Sequence, residues 1–583
     1  MKRNTAVMQT GLFLLGILFF SIVVSTVLFA VGVPIQKENI VVAIVCSVLA
    51  TYLIGEKEWK KTVIAVLAGL SIFVVCVYVN TLLYDWSYDG NTYHKSMIGL
   101  LKNGWNPLQV SFFDFADLHF PQIQATQTWY DAYPKAAEIY AACLYALTNT
   151  IEAGKSQNLL IAVATALIAF SYLRTMDCLK WWQALLCAVF LGINPITISQ
   201  FFTYYIDAYL WDLISLCLLP CVYITLTRGQ KNKKIEYYLI FLCINVGFNI
   251  KFSAIIFFGV FCFAFFVYWA ILAKQKKFFS RAAVKSSFIL FAISVLCAVL
   301  CTGATSYVIN TIRYHNPLYT MIGEGSTEII DSMAPTVYHG MSNIEMFLTS
   351  FFSSSYSPTN LSELMLKIPF SFTADELSQV IQMDVRQGGW GIFFSGIFLI
   401  SLGVLVVAVI DWRKRYPVVF QISLGIITLE TILIVVVPGM WWARYNMLLF
   451  YFPVVSMVYL FSKANQYPSN AVKSAAVAGF IGTSLFFNCI PNLMTLDMVM
   501  KQAENTRNQL ETLKSVTEQS DIKIGVYADF YGRLFTLYDN GVTDDQITGY
   551  TYYVDDPSAY QYQLFDGYCL YYSPVSEGVR TSE

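Results

Sequence analysis

A short polar segment that directly follows an apolar stretch is the first place in the sequence where chemistry is expected. It reads YDGNTYHKSMIGLLKNGWNPL from Tyr88 to Leu108, and it places Asp89, His94 and Lys95 beside a stretch long enough to cross a membrane. A carboxylate near a helix N-terminus is stabilised by the helix dipole, so Asp89 could be a simple cap. The alternative is that this segment acts on a substrate at the membrane surface.

Isolated cations form the second candidate group. Lys251 lies between two apolar runs, Arg444 lies directly outside another, and Arg386 is followed by the glycine-rich GGWG. A lone charge near the membrane interior is costly and usually functional, and the planar guanidinium of arginine suits phosphate oxygens. Snorkelling explains Lys251 and Arg444 without a ligand, and Arg386 could be a solvated loop charge.

The composition identifies the class of protein that must position these side chains. The chain has 583 residues, of which 56% are hydrophobic and 13% are charged, and its mean hydropathy is +0.55. Soluble domains carry about 25% charged residues, so an all-α polytopic protein embedded in a lipid bilayer is predicted. The net charge of −1 leaves no basic field that would attract nucleic acid.

About thirteen membrane-spanning helices are predicted from apolar runs of about 16–26 residues. They lie near residues 8–33, 40–55, 62–84, 157–173, 183–200, 207–227, 237–250, 252–273, 286–309, 390–410, 417–437, 445–462 and 474–490.

The distribution of basic residues predicts the orientation of these spans. With the N-terminus inside, the short cytoplasmic segments hold 21 of the 37 Lys and Arg residues, whereas the short loops on the opposite side hold only Lys37, Lys251 and Arg444. Cytoplasmic loops are enriched in Lys and Arg, so the long loops at about 85–156 and 310–389 are expected outside. All four histidines lie in these two loops, which places the expected chemistry on the outer face.

Two domains are expected. Residues 1–490 form the transmembrane module, and residues 491–583 form a small α/β domain outside the membrane. Helical periodicity runs from Thr495 to Gln519, and the run from Asp521 to Ala528 alternates like a strand.

Two interfacial helices are predicted in the first outer loop. From residue 91 to 103, apolar side chains take one face and His94 and Lys95 take the other, with Asn91 as the expected N-terminal cap. A second amphipathic run covers residues 134–148. Two such helices would frame a cavity at the membrane surface.

Six segments in the same order resemble motifs of membrane glycosyltransferases of the GT-C type. They are YDGNTYH in the first outer loop, NPITISQFFTYYIDAYL (194–210), NIKFSAIIFF (249–258), IRYHNPLYT (312–320), DVRQGGWGIFF (384–394) and WWARYNMLLFYFP (441–453). The resemblance covers about residues 8–462, and the layout is similar to that of the aminoarabinose transferase and the protein mannosyltransferase superfamily. The chain departs from the mannosyltransferase branch because Asp89 is followed by Gly90 and not by Glu, which argues against a protein-mannosylation substrate.

The resemblance implies a sugar transfer at the outer face of the cell membrane. GT-C enzymes generally move a sugar from a polyprenyl phosphate carrier to an acceptor outside the cytoplasm, here a surface glycan, a lipid or a protein. Direct inverting transfer needs one base for the acceptor proton. Asp89 is expected to be that base, with Asp85 as the alternative. The leaving phosphate needs fixed cations, and Arg444, Lys251 and Arg386 are expected to supply them.

Further substrate contacts are expected from His94, Tyr93, Asp85 and Asp207, although Asp207 opens a span and could equally be a helix cap. No cofactor is expected. The run DFADLH at 114–119 could hold a divalent ion together with His94 or Asp85. Its spacing follows no recognised metal pattern, so a metal is not favoured.

Three other functions remain open at this level. A transporter of lipid-linked glycans would carry charges in the middle of its spans and an internal repeat. The sequence has few such charges and no repeat. A polysaccharide polymerase or ligase would favour arginine-rich outer loops, whereas the first loop here is acidic and aromatic. A non-catalytic protein that binds glycolipid would keep the fold and would tolerate the change Asp89→Asn.

Overall fold

The computed structural model describes residues 5–55, 57–227, 233–275, 279–323, 326, 329–361, 363–517, 523–527, 530–551, 562–565 and 569–572. Within these ranges the chain is mostly helical. Among the described residues, ten helices are long and apolar enough to cross a membrane: Ala6–Ala30, Trp59–Thr81, Ile151–Thr175, Asp207–Leu226, Ala254–Lys274, Arg281–Leu300, Phe394–Arg415, Pro417–Val436, Met447–Gln466 and Pro468–Ser515.

The other three predicted spans correspond to shorter helices, Glu38–Ile54, Trp181–Gly192 and Lys234–Phe248. The longest of them has 17 residues. At a rise of about 1.5 Å per residue, none of the three matches a hydrocarbon core of about 30 Å. The sequence therefore predicted helices at all thirteen places, and ten of them have the length of a span.

Burial separates central from peripheral helices. Most residues of Ala6–Ala30 and Asp207–Leu226 are buried, whereas most residues of Arg281–Leu300 and Pro417–Val436 are not. The exposed faces of peripheral helices carry apolar side chains such as Ile410 at 60% exposure. Because no soluble surface is apolar over such lengths, the described helices belong in a lipid bilayer, and the protein is a multi-pass membrane protein.

The first long loop contains a run of short helices. Gly90–His94 is a π-helix, and four α-helices follow it: Lys95–Lys102, Phe112–His119, Trp129–Ala132 and Ala136–Thr148. The π-helix Ala304–Val308 precedes the second long loop, and the described residues of that loop form four α-helices and a 3₁₀ turn: Ile309–Tyr314, Ile329–Ser332, Asn343–Phe351, Ala374–Val380 and Thr336–Tyr338.

The polar face of the predicted helix at residues 91–103, which carries His94 and Lys95, is covered by the rest of the protein. His94 is 1% exposed and Lys95 is fully buried. The helix Gly532–Tyr538, which we call the tail helix, packs on Lys95–Lys102. A Cβ atom on Gly99 would lie 2.2 Å from the ring of Phe535, so the glycine permits this contact.

Burial of Lys95 creates an ion-pair network that we call the buried triad, consisting of Lys95, Glu152 and Lys155. One carboxylate oxygen of Glu152 pairs with Lys95, and the other lies 2.7 Å from the Nζ atom of Lys155. No member of the triad is more than 2% exposed. Lys95 also donates to the hydroxyl of Thr536 in the tail helix. The network thus joins the first long loop to the C-terminal part of the chain.

The C-terminal part begins as a continuation of a helix. Ala471–Thr517 is one helix of 47 residues with Pro491 inside it, so the predicted boundary between residues 490 and 491 falls within a continuous helix. The predicted strand over 521–528 forms at Lys523–Tyr527, and its ends lie outside the described residues.

Four short strands form one sheet in the order Ile547–Thr551, Lys523–Tyr527, Cys569–Tyr572 and Tyr562–Leu564. The first two are parallel, and the remaining neighbours are antiparallel.

Candidate functional site

Six charged side chains from separated parts of the sequence meet near the ends of the helices, and we call them the charged cluster. The members are Asp89, Asp207, Lys251, Asp384, Arg386 and Arg444. Three are acidic and three are basic, so their formal charges cancel. Five of the six are residues that the sequence analysis predicted, and Asp384 is new.

Arg444 lies at the centre of the charged cluster and faces all three carboxylates. Its Nη1 atom is 3.6 Å from Oδ2 of Asp89 and 3.7 Å from Oδ2 of Asp207. Its Nε atom is 3.9 Å from Oδ1 of Asp384. Charge-assisted hydrogen bonds are about 2.7–2.9 Å long, and within the described ranges Nε and Nη1 of Arg444 have no hydrogen-bond acceptor although both atoms are buried. Two of its donors are therefore unsatisfied.

The other two cations bind the carboxylates directly. The Nζ atom of Lys251 is 2.6 Å from Oδ1 of Asp207, and Nη2 of Arg386 is 3.1 Å from Oδ2 of Asp384. Asp207 and Asp384 thus each face two cations. Among the described residues, Arg444 is the one cation within 4 Å of the carboxylate of Asp89, and the side chain of Asp89 is 24% exposed. Asp89 is the carboxylate of the cluster with the fewest partners.

Asp85 is not part of the charged cluster, contrary to its predicted roles as a substrate contact and alternative base. Its fully buried carboxylate accepts hydrogen bonds from the backbone N–H groups of Ser87 at 2.8 Å and Tyr204 at 3.2 Å. These bonds connect the segment before Asp89 to the segment before Asp207. Asp85 therefore positions two members of the cluster instead of touching it.

The turn at Gly90 fixes the direction of Asp89. A Cβ atom on Gly90 would lie 1.8 Å from Oδ2 of Asp85, so only glycine fits there. Asn91 does not cap a helix as predicted. Its side-chain amide turns back and donates to the carbonyls of Asp85 at 2.9 Å and Ser87 at 2.8 Å, because the chain enters the helix through a π turn.

Arg444 is positioned by two segments that pack against each other. The indole N–H of Trp442 donates to the carbonyl of Val385 at 2.9 Å, and that of Trp390 donates to the carbonyl of Asn446 at 2.9 Å. Gly389 has φ of +92°, and a Cβ atom there would lie 3.0 Å from the Cβ atom of Ala443. The GGWG sequence thus allows the segment that carries Asp384 and Arg386 to approach the one that carries Arg444.

Aromatic rings surround the cations. The guanidinium carbon of Arg444 lies 4.0 Å from the ring centre of Trp442 and 5.1 Å from those of Tyr205 and Tyr445. The Nζ atom of Lys251 lies 4.2 Å from the ring centre of Tyr445. Cation–π contacts of this kind hold a charge without occupying its hydrogen-bond donors. The rings therefore support both cations, and the Tyr445 hydroxyl also accepts a hydrogen bond from Nη2 of Arg444 at 3.2 Å.

Burial and neighbouring charges act on the ionisable groups of the loops. Burial would lower the pKa of Lys251, but the charge of Asp207 outweighs burial and raises this pKa. For Arg444, burial is again outweighed, here by Tyr445 and the carboxylates, so its pKa is raised. Burial raises the pKa of Asp384 against the opposing effect of Arg444 and Arg386. Both cations therefore stay charged.

Two other predicted substrate contacts lie beside the cluster. The Nδ1 atom of His94 lies 2.5 Å from Oε1 of Glu138, and both side chains are 1% exposed. His94 is therefore a buried hydrogen-bond partner of Glu138 and not an accessible phosphate ligand. The ring of Tyr93 lies 4.2 Å from that of His94 and 6.3 Å from that of Tyr133. Burial and the charge of Asp89 raise the pKa of Tyr93.

Candidate metal ligands do not assemble in the part of the chain that the structure describes, where no group of three His, Cys, Asp or Glu side chains is placed to hold a metal ion. The run DFADLH forms the helix Phe112–His119. Asp114 binds the hydroxyl of Ser111 at the start of this helix, which is the arrangement of a helix cap.

Asp384 is the member of the cluster that the sequence analysis missed. It lies two residues before Arg386, within the segment DVRQGGWGIFF. An acidic residue so close to a candidate phosphate ligand was the available signal. Tyr205 and Tyr445 carried no such signal, since tyrosine is common throughout this chain, with 38 occurrences.

The charged cluster combines a partly exposed carboxylate with an arginine whose Nε and Nη1 atoms have no acceptor among the described residues. The carboxylate can accept a proton, and the arginine can bind an anion through a planar fork. Both groups lie in segments between candidate spans, Asp89 after Trp59–Thr81 and Arg444 before Met447–Gln466. No protein-family model and no curated protein sequence matches this chain.

Proposed function

We propose that this protein is a membrane glycosyltransferase that moves a sugar from a polyprenyl phosphate carrier to a hydroxyl of an acceptor outside the cytoplasm. The acceptor is a cell-surface glycan, a lipid or a protein. The single observation that carries the proposal is the 3.6 Å approach of Asp89 and Arg444, two residues that are remote in sequence. This contact brings a candidate base and a candidate anion ligand into one site, as the transfer of a sugar from a phosphate to a hydroxyl requires.

In the proposed reaction, the acceptor oxygen attacks the anomeric carbon while Asp89 takes its proton. The bond between the anomeric carbon and the phosphate oxygen breaks, and its electron pair leaves with the phosphate. The products are the glycosylated acceptor and polyprenyl phosphate. One carboxylate suffices because no covalent sugar intermediate forms, and the anomeric configuration inverts.

The position of Arg444 suits the movement of charge in this step. As the reaction proceeds, Asp89 loses a negative charge and the leaving phosphate gains one. Arg444 faces Asp89, and its Nε and Nη1 atoms have no acceptor among the described residues, so it can stabilise the negative charge that develops on the leaving phosphate. Fixed dipoles and cations aimed at developing charge are usually the largest contribution to catalysis.

The other two cations support the same phosphate in this proposal. Lys251 and Arg386 are each 18% exposed and each already bound to one carboxylate of the cluster. Asp207 and Asp384 hold them in place, so the phosphate would meet a preorganised set of cations. Preorganisation matters because it avoids reorienting the site during reaction.

The proposal includes a GT-C-like fold with thirteen spans, in which the three shorter helices also enter the bilayer. The N-terminus lies on the cytoplasmic side of the cell membrane, and the two long loops and the α/β domain lie on the opposite side. In support, the charged cluster draws members from both long loops, which must therefore lie on the same side as each other.

A complementation experiment tests the proposal without knowledge of the sugar. Surface glycans of cells that lack this protein are compared by mass spectrometry with those of cells that express the wild type, Asp89→Asn or Asp117→Asn. Asp117 is an exposed aspartate of the same loop, so its change to Asn is the matched control. Removing a general base lowers rates by about 10²–10⁴, so Asp89→Asn is expected to leave the sugar missing while the control restores it.

The alternative result separates an enzyme from a glycolipid-binding protein. If Asp89→Asn, present at the wild-type level, restores the glycan fully, Asp89 is not the base and a non-catalytic role is favoured.

A further inference from the structure

The second long loop carries an exposed apolar surface, which is unusual for a loop that lies in water. Between residues 364 and 372, six side chains are apolar and between 36% and 78% exposed: Leu364, Met365, Leu366, Ile368, Phe370 and Phe372. We call this segment the apolar tip. Scattered apolar residues on a surface are ordinary, but a contiguous exposed set marks a binding surface.

The one charge in the apolar tip is turned inward. Lys367 is 7% exposed on its side chain and pairs with Glu376, and it also donates to the carbonyl of Ile392 at 2.9 Å. Its backbone N–H donates to the carbonyl of Phe352. The lysine therefore anchors the base of the tip, and only apolar side chains and Ser371 project from it.

The turn at the end of the tip holds the ring of Phe370 in place at a conformational cost. The backbone N–H of Ser371 donates to the carbonyl of Ile368, with Pro369 and Phe370 between them. Phe370 has φ of +68°, a conformation that glycine normally takes in a turn with proline before it. A phenylalanine costs more there, so a contact made by its ring must offset the backbone strain.

That contact is with two candidate membrane spans. The ring of Phe370 lies 6.0 Å from that of Phe480 in the helix Ala471–Thr517. A Cβ atom on Gly396, in the span Phe394–Arg415, would lie 2.3 Å from the same ring. Phe480 is ten residues before residue 490, the predicted outer end of that span, which is about 15 Å along a helix. Phe480 is itself 51% exposed, so its surface continues the surface of the tip.

We propose that the apolar tip inserts into the hydrocarbon region of the bilayer as a re-entrant contact beside these two spans. The occupant of its surface is the acyl chains of the surrounding phospholipid. The apolar surfaces of the tip and of the spans are continuous, and the lysine that would oppose insertion is already paired. The contact anchors the loop that carries Asp384 and Arg386 at a fixed depth.

Photochemical labelling in a defined membrane tests this proposal. A diazirine-bearing amino acid replaces Ile368 in one variant and Asp375 in the other, and each protein is reconstituted in phosphatidylcholine nanodiscs and irradiated. Ile368 is 78% exposed, so its replacement leaves the packing intact. Asp375 is an exposed residue of the helix that follows the tip, and it serves as the matched control.

Mass spectrometry of the irradiated proteins gives the result. A phosphatidylcholine adduct at position 368, at least tenfold more abundant than at position 375, supports insertion. A product of reaction with water at position 368 overturns it. A crosslink to a second copy of the chain also overturns it, because the surface would then be a dimer interface.

Discussion

Acidic and basic side chains serve different purposes in the buried triad and in the charged cluster. In the buried triad, Glu152 is bound on both oxygens by lysines that are fully buried. In the charged cluster, Arg444 lies 3.6–3.9 Å from three carboxylates and satisfies none of them fully. Complete pairing in a dry place holds a structure together, whereas incomplete pairing at a partly wet place leaves capacity for a ligand.

The largest expected effect comes from breaking the buried triad. Glu152→Gln leaves two buried lysines without an anion, and removing one partner of a buried pair costs about 3–5 kcal/mol. We expect the free energy of unfolding, measured by chemical denaturation in detergent micelles, to fall by that amount.

A matched control defines the scale of that loss. Asp497→Asn makes the same acid-to-amide change in the pair Asp497–Lys501, whose side chains are 64% and 72% exposed. Exposed pairs contribute about 0–1 kcal/mol. If Glu152→Gln costs no more than this control, full pairing in the triad does not stabilise the fold.

The stability of the fold is expected to depend on pH through Asp539, the residue that directly follows the tail helix. Burial raises the pKa of Asp539 to about 6, against the hydrogen bonds from Ile151 and Tyr145. The folded protein then holds a proton that the unfolded chain, with a pKa of about 3.9, has lost. Stability therefore falls as the pH rises from about 4 to 6, by up to about 3 kcal/mol.

The variant Asp539→Asn removes the contribution of this residue to the pH dependence of stability, because asparagine cannot titrate. Unfolding midpoints of both proteins are compared between pH 4 and pH 7. We expect the wild type to lose stability relative to the variant as the pH rises. A constant difference between the two across this range would show that Asp539 titrates normally.

The smallest expected effect on stability comes from Arg444→Ala. Its ion pairs are long, and Asp207 and Asp384 keep their other cations, so we expect the free energy of unfolding to change less than it does for Glu152→Gln. Loss of hydrogen bonds to a charged group costs about 1.5–3 kcal/mol, so the KM for the sugar donor should rise roughly ten- to a hundredfold while the KM for the acceptor changes little. Equal changes in both would argue against a phosphate ligand.

The sequence predicted the members of the charged cluster better than their surroundings. Lys251 and Arg444 stood out because a lone charge beside an apolar run is costly, and this reasoning needs no knowledge of tertiary contacts. Asp89 stood out as a carboxylate directly after an apolar stretch, Asp207 was found through the resemblance, and the structure brings all four together. The helices were predicted at the right places because apolar runs bounded by polar loops determine them.

The surroundings of His94 and Lys95 were missed for a physical reason. An amphipathic pattern separates a polar face from an apolar one, but it does not say whether water or another charge meets the polar face. Here Glu138 and Glu152 meet it, and the tail helix covers it from more than 400 residues away in the sequence. Such long-range contacts have no signature in a local window.

The π-helix Gly90–His94 connects Asp89 of the charged cluster to Lys95 of the buried triad, so one short stretch of chain contributes to both groups. A π turn holds an additional residue compared with an α turn, and each residue of an α-helix advances the rotation by about 100°. Deleting one residue here would keep Lys95 against Glu152 but would rotate Asp89 out of phase with Arg444. The additional residue therefore lets the carboxylate face the cations while the helix behind it keeps its contacts.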